Sequence, residues 1–438
     1  MKNTVTVIGG GLAGLSAAVF LTKEGFKVNL YEASPKLGGR AYSFFDKSIG
    51  DYVDNGQHIF ASWYKNTFEY LKIIGSYDKL YFQKQLEVIF TNLKAQNYIL
   101  KASKLPPPLH LLGGLMNFKA IKLVDRLAAI RLINNLKNKK ISDEMLTEMN
   151  TDELFKKTKQ TKRLLESFWK PLIIAVFNAD PEDTSAYMFS EIIKTGFIEK
   201  GGSNLVFPDV FLSELLVNPA LKYLETKRAN IKAGKKINRL NIKNHELTSI
   251  IAEDKEEITS NYYVSAIPFY DVKNLFGSNA ILGEKDGLFP SPIVNIHFKF
   301  EKDISSIFNN RFSGILGANI QWVFRVKNDQ LCLVISSAKK ITEMDKESII
   351  SLCKNELYKC FPALSEYKIT GTRVIKEMRA TFMPDKNSLK LRPDCKTKIE
   401  NFFLAGDWTN TGLPATIEGS VKSGKICTNE IIKHSKSL

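Results

Sequence analysis

Cysteine and histidine are scarce, with five of each in 438 residues. The cysteines (Cys332, Cys353, Cys360, Cys395 and Cys427) are odd in number and form no C-x-x-C pair, which excludes an even disulfide framework. They read as free thiols in a reducing compartment, and no metal site is expected. Neither an export signal nor a membrane-spanning run is expected. The apolar stretch from Val5 to Leu21 is interrupted by glycines and has neither a basic leader nor a cleavage site. Internal repeats and low-complexity tracts are absent as well. Acid is in short supply, with 46 Asp and Glu against 62 Lys and Arg, a net charge of +16. No reading motif or basic-aromatic platform accompanies that charge, which argues against nucleic acid as a partner. Two explanations stay open: a lysine-rich composition without function, and an anionic membrane surface. At 44% hydrophobic and 25% charged residues the chain is globular, and its length exceeds one core, which implies two domains.

What the chain does have begins at once. Residues 5 to 14 read Val-Thr-Val-Ile-Gly-Gly-Gly-Leu-Ala-Gly, and Glu32 ends the next apolar run. In a dinucleotide site Gly9 allows the turn off the first strand, Gly11 lets the backbone approach a pyrophosphate, and Gly14 lets the following helix pack on the sheet. The helix N-terminus faces the phosphates with unsatisfied amides. Glu32 is placed for the adenosine ribose, and its charge would repel a 2′-phosphate, so FAD or NAD is expected and NADP is not.

Two further segments favour FAD. Leu37-Gly38-Gly39-Arg40 resembles the second signature of the amine oxidase and phytoene desaturase superfamily, where Gly38 and Gly39 pass close to the cofactor and Arg40 offers its fork to the pyrophosphate. Phe402-Phe403-Leu404-Ala405 reads as a buried strand ending in Gly406-Asp407, similar to the superfamily pair whose carboxylate holds the ribityl chain. The resemblance implies an α/β fold: a Rossmann-like FAD-binding domain with an interleaved α+β substrate domain. The expected division gives residues 1–60, 197–272 and 395–438 to the FAD-binding domain, and 61–196 and 273–394 to the substrate domain. Residues 61–196 look mostly helical and 273–394 alternate as strands; the style changes around Gly201-Gly202, after which the backbone near Ile237 is expected to meet the adenine.

One stretch speaks to the charge. Between Leu105 and Lys140 an apolar run precedes a helix-like segment with Lys119, Lys122 and Arg126 on one side and Ile121, Val124, Leu127 and Ile130 on the other. It suits either an interfacial helix or an ordinary surface helix packed on the substrate domain. The protein is expected to be cytoplasmic and peripheral on the inner face of the plasma membrane.

Asp54-Asn55-Gly56-Gln57-His58 sits where the chain should pass the isoalloxazine. With Phe168-Trp169-Lys170-Pro171, Arg379-Ala380-Thr381-Phe382-Met383-Pro384 and the run from Asp407 to Gly419, it resembles the hydroxysqualene dehydroxylase family over essentially the whole chain. The resemblance implies reductive removal of an allylic hydroxyl from hydroxysqualene, giving squalene. His58 is then the expected general acid and Gln57 the residue that orients the leaving oxygen, the alternative for His58 being a fixed hydrogen bond to backbone or flavin. Asp54 and Glu418 are reserve acids. Pro414, Ala415, Thr416 and Ile417 open a helix whose amides point at the flavin edge where charge gathers on reduction. Trp63, Trp322, Phe324 and Trp408 are candidate walls for a polyisoprenoid. The electron donor has no signature. Rival readings are another flavin-dependent polyisoprenoid desaturase, an amine oxidase, and a non-catalytic escort of prenylated proteins.

Overall fold

A computed structural model of the chain describes residues 3–105, 109–198, 203–276 and 287–437, so Gly201-Gly202 and Pro106 to Pro108 lie outside the described residues. Five parallel strands form the nucleotide sheet, in the order Asn230–Ala233, Lys27–Glu32, Thr4–Ile8, Tyr262–Ser265, Phe402–Leu404. Tyr262–Ser265 and Phe402–Leu404 are fully buried because both faces are covered, whereas the edge strand Asn230–Ala233 is largely open. Helices Leu12–Lys23, Lys65–Ile74 and Ile417–Ser437 pack one face around Val5, Val7, Leu30, Val264 and Phe403. Against the other lies a three-stranded antiparallel sheet, Ile237–Lys243, Glu246–Ala252 and Glu257–Ile258, whose Leu247 and Ile250 join Tyr263, Phe402 and Leu404. Strands flank Thr4–Ile8 on both sides, so its carboxyl end is a topological switch point, where ligands of such sheets bind. The core of this unit also takes in Phe60, Tyr64, Phe68, Tyr70, Leu71, Ile74 and Leu80.

A seven-stranded sheet forms the second layer, in the order Ile369–Phe382, Pro290–Phe300, Gln330–Ile335, Trp322–Lys327, Phe312–Leu316, Glu87–Asn92, Asn97–Lys101. Strand periodicity splits its faces. Val294, Ile296, Phe298 and Phe300 enter a core with helix Lys346–Cys360, while Asn295, His297 and Lys299 point the other way. Two features depart from the sequence expectation. The hairpin Glu87–Asn92 and Asn97–Lys101 stands in a region that looked helical, and Lys346–Cys360 is helical where strands were expected. In the helix the signal was present, since its buried Ile349, Cys353, Leu357 and Cys360 recur at helical spacing. All five cysteines are buried and free.

Candidate functional site

The glycine turn is built as its spacing requires. Gly9 has φ +105, and a Cβ there would stand 2.9 Å from the Ala266 carbonyl oxygen. A Cβ on Gly14 would lie 1.9 Å from the Gly9 oxygen, so only glycine lets the helix sit this close to the turn. Gly11 differs: the nearest atom to a Cβ there is Gly39 Cα at 3.9 Å, and the open space lies in front of the helix that begins at Leu12. Gly38 N donates to the Gly10 oxygen at 2.9 Å, which lays the second glycine segment on the first. Main chain from both segments thus lies side by side as a cradle at the N-terminus of the first helix, where unsatisfied amides suit an anion.

Glu32 does more than wait for a ribose. Its carboxylate accepts from Gly10 N at 2.6 Å and Ser34 N at 2.7 Å, clamping the cradle; each oxygen keeps a further lone pair for a hydroxyl. Lys235 N donates to the Glu32 carbonyl at 2.8 Å and Gly234 N to that of Ser34 at 2.9 Å, which brings the start of the Ile237 strand to the same loop. Ile237 itself is buried in the core beneath.

Arg40 and Asp407 meet each other. Arg40 Nη2 lies 2.7 Å from Asp407 Oδ2, and Nη1 donates to the Ala380 oxygen at 2.5 Å. The pair is a clasp between the second glycine segment and the carboxyl end of the last strand, a contact the sequence did not suggest. Downstream, Pro414, Ala415 and Thr416 precede the helix rather than belong to it. It starts at Ile417, and Thr416 Oγ1 caps it by accepting from Gly419 N at 3.0 Å. Its Gly424 packs on Ser16 and Ala17 of the first helix, and both helices begin at the carboxyl side of the parallel sheet.

Gln57 and His58 follow Asn55, whose side chain reaches the Arg40 segment. Asn295 Nδ2 donates to the Asn55 oxygen at 3.0 Å, and Asn55 Nδ2 reaches the Arg40 oxygen at 3.2 Å and Glu377 Oε2 at 3.3 Å. Sequence reasoning missed Asn295 and Glu377; the signal for the first was an amide at an inward position of an apolar strand. His58 Nδ1 lies 3.0 Å from the Gly56 oxygen, so the neutral ring carries its proton there and leaves Nε2 as acceptor. Burial holds the His58 pKa below its ordinary value; the Gly56 carbonyl opposes this and the Arg40 charge reinforces it. Gln57 Nε2 is a buried donor without a protein partner. Asp54 accepts from Ser43 Oγ at 2.6 Å and Leu212 N at 3.0 Å, and burial pushes its pKa up to about 6.

Glu418 has a structural task. Its carboxylate accepts from Asn66 N and Nδ2 and from Thr67 N and Oγ1, between 2.7 and 3.0 Å, capping helix Lys65–Ile74. Glu418→Ala is therefore expected to cost about 1–3 kcal/mol through orphaned buried donors, read as a lower melting temperature with the flavin content unchanged. Asn178 is another joint. It bonds Ser291 and Thr381, which ties the helical unit containing Phe168 and Trp169 to the large sheet. Trp322, Phe324, Phe312 and Phe90 form an aromatic wall on that sheet, with Phe312 and Phe324 stacked at 6.0 Å. Trp63 is partly buried beside Gly196. Trp408 is core: it is 2% exposed and donates to the Ile267 oxygen at 3.1 Å.

Comparison with known proteins gives the family and the fold. The family model described as flavin containing amine oxidoreductase matches residues 12–432. Similar relatives include the hydroxysqualene dehydroxylases of Sinorhizobium fredii, 30% identical over 97% of this chain and 97% of the relative, and Zymomonas mobilis, 28% identical over 98% and 99%. The 15-cis-phytoene desaturase of Synechococcus elongatus is 24% identical over 99% and 97%. Among solved structures, putrescine oxidase bound to putrescine has a TM-score of 0.73 at 12% identity, covering 99% of both chains. An oxidoreductase from Methanosarcina mazei has a TM-score of 0.70 at 15% identity, covering 96% of this chain and 99% of that one.

Proposed function

The chain belongs to the flavin containing amine oxidoreductase family and is a flavin-dependent oxidoreductase, and from that premise we propose that it uses FAD to remove the hydroxyl of hydroxysqualene reductively, releasing squalene. The observation that supports this reading is the segment Asn55 to His58, which holds a buried amide donor and an imidazole beside Asn295, together with hydroxysqualene dehydroxylase relatives along nearly the whole chain. The dinucleotide would lie with its pyrophosphate on Gly11 and Gly39 and its ribose at Glu32. The N-terminus of the helix at Ile417 would favour negative charge on the ring.

When bound in reduced form, the flavin supplies the hydrogen and electron pair that replace the hydroxyl. The protein's own part is to place and protonate. Gln57 Nε2 donates to the departing oxygen, and His58 in its charged form gives that oxygen a proton, which lets water leave an allylic carbon. The aromatic wall of Phe90, Phe312, Trp322 and Phe324 keeps the hydrocarbon in an apolar setting. Anaerobic incubation of the reduced protein with hydroxysqualene should yield squalene and oxidised flavin. Unchanged hydroxysqualene alongside turnover of phytoene or an amine would assign the enzyme to another branch, and a purified protein unable to hold flavin would support the escort reading.

An insoluble substrate calls for a membrane, and the surface offers a landing face. Among the described residues no helix is long and apolar enough to cross a bilayer. Helix Leu123–Lys137 buries Ala128, Ala129, Leu132, Ile133 and Leu136, and turns Leu123, Val124 and Leu127 outward, each more than half exposed. Ile121 is buried ahead of the helix, so the apolar side expected from the sequence is divided between core and surface. Leu109 and Met116 of helix Leu109–Asn117 are exposed as well. Between residues 94 and 142 there are ten Lys and Arg and one acid, Asp125, which is buried. We expect salt-sensitive sedimentation with anionic vesicles, each cation near the surface adding about 1 kcal/mol, and loss of binding in Val124→Asp/Leu127→Asp. Equal sedimentation with neutral and anionic vesicles, or none with either, would return the charge to composition.

A further inference from the structure

The polar face of the seven-stranded sheet holds groups that the reaction scheme above does not use. Asn295, His297 and Lys299 share that face of their strand; Cys332 stands opposite His297 and Gln330 opposite Lys299. Same-face positions repeat about every 6.8 Å, so the row from Lys299 to Asn295 spans roughly 14 Å. At its outer end Lys299 lies 3.2 Å from Asp329 and 3.9 Å from Asp51, all partly exposed. At its inner end Asn295 holds Asn55, two residues before Gln57.

In between, buried polar groups stand among apolar ones, with Val334 opposite Asn295 and Cys332 opposite His297. Asn295 is 2% exposed, and His297 and Gln330 are 0%. Gln330 Nε2 and Oε1 and Asn295 Oδ1, like Gln57 Nε2, have no protein hydrogen-bond partner. Apolar residues would fill this space at less cost than orphaned amides, and bridging water is the usual partner of such groups.

We propose that this row is a hydrated proton passage from the Asp51–Lys299–Asp329 cluster to Gln57 and His58, with Asp54 and His297 as the groups that carry the proton. The inference rests on the proposed reaction. There, the substrate oxygen takes a proton, the C–O bond breaks with loss of water, and a C–H bond forms with the hydrogen and electron pair of the anionic reduced flavin, which is oxidised. One proton per turnover must come from bulk water, and an apolar substrate blocks the direct way. Asp54 is faced by Ser43 of its own hairpin, the Leu212 amide and Glu214 of the segment beyond, and His297 and Cys332 of the sheet. With its pKa pushed up to about 6 by burial, it holds a proton in part of the population near neutrality and loses it as the pH rises. His297, with Cys332 Sγ 3.6 Å from its Nε2, is driven down to about 4 by burial and the Arg373 charge against the pull of the Asp54 carbonyl and Asp46; it is neutral and passes a proton by accepting on one nitrogen and donating from the other.

Gln330→Leu separates a passage from an ill-satisfied core. Either way the variant should fold and hold flavin, with an equal or higher melting temperature, because orphaned polar atoms are removed. A passage further requires single-turnover reaction with hydroxysqualene to slow on the order of tenfold, less than the 10²–10⁴-fold of a group that hands over the proton itself, with a larger solvent deuterium isotope effect. A second readout needs neither flavin nor substrate. In flavin-stripped wild type, the Asp54 carboxyl infrared band, identified by its loss in Asp54→Asn, should exchange promptly in D2O and titrate near pH 6, and Gln330→Leu should delay the exchange. If Gln330→Leu leaves both exchange and turnover at wild-type rates, the passage is wrong and the reaction stands. If wild type leaves hydroxysqualene untouched, the reaction is wrong, and the infrared exchange alone decides the passage.

Discussion

Gly11→Val should give a folded protein that purifies without flavin. A Cβ at Gly11 meets nothing closer than Gly39 Cα at 3.9 Å, so a β-carbon is accepted without a clash in the apoprotein. That position lies in front of the amides of the Leu12–Lys23 helix, where a pyrophosphate needs backbone contact. Gly14→Val is the control with the opposite outcome. Its Cβ would overlap the Gly9 oxygen at 1.9 Å, and the helix would have to leave the sheet, so loss of soluble protein is expected. Absorbance of the flavin and a thermal melt on each variant check both statements. Stoichiometric flavin in Gly11→Val would remove the cradle from the site.

His58→Ala should keep the flavin and lose about 10²–10⁴-fold in single-turnover oxidation of the reduced enzyme by hydroxysqualene, the range for a general acid. The pH profile carries the sign. Burial, reinforced by Arg40, places the His58 pKa below that of an ordinary imidazole, so the charged form is a minority at neutrality. The wild-type rate should therefore rise as the pH falls, starting on the acid side of a free histidine, and the variant should lose that dependence. A His58→Ala enzyme as fast as wild type, beside a slow Asp54→Asn, would make the buried carboxyl the acid. Glu418 drops out of the contest, because every bond it makes holds helix Lys65–Ile74 in place.

The pairing of Arg40 with Asp407 shows where sequence reading stops. Both residues were recognisable as members of glycine-bearing segments near a cofactor, but the bond they make to each other was not legible in either segment. Asn295 and His297 were passed over for a related reason. Alternation along their strand gives the inward positions, but it does not say whether the opposite surface is a core or a polar hairpin.

What the sequence by itself determined is the cradle: Gly9, Gly11, Gly14 and Glu32 act within one strand, turn, helix and strand, where short-range sterics leave few conformations and spacing stands in for geometry. The parallel sheet and its flavin followed from the same local signals repeated at Gly38-Gly39 and Gly406. Only the tertiary structure decided which polar groups meet. Arg40 finds Asp407 across 367 residues, Thr67 finds Glu418 across 351, and Asn295 finds Asn55 across 240. A carboxylate or amide takes any donor or acceptor of the right polarity, so residue type leaves the partner open until the packing of sheet on hairpin and helix on helix brings one within 3 Å and buries the rest.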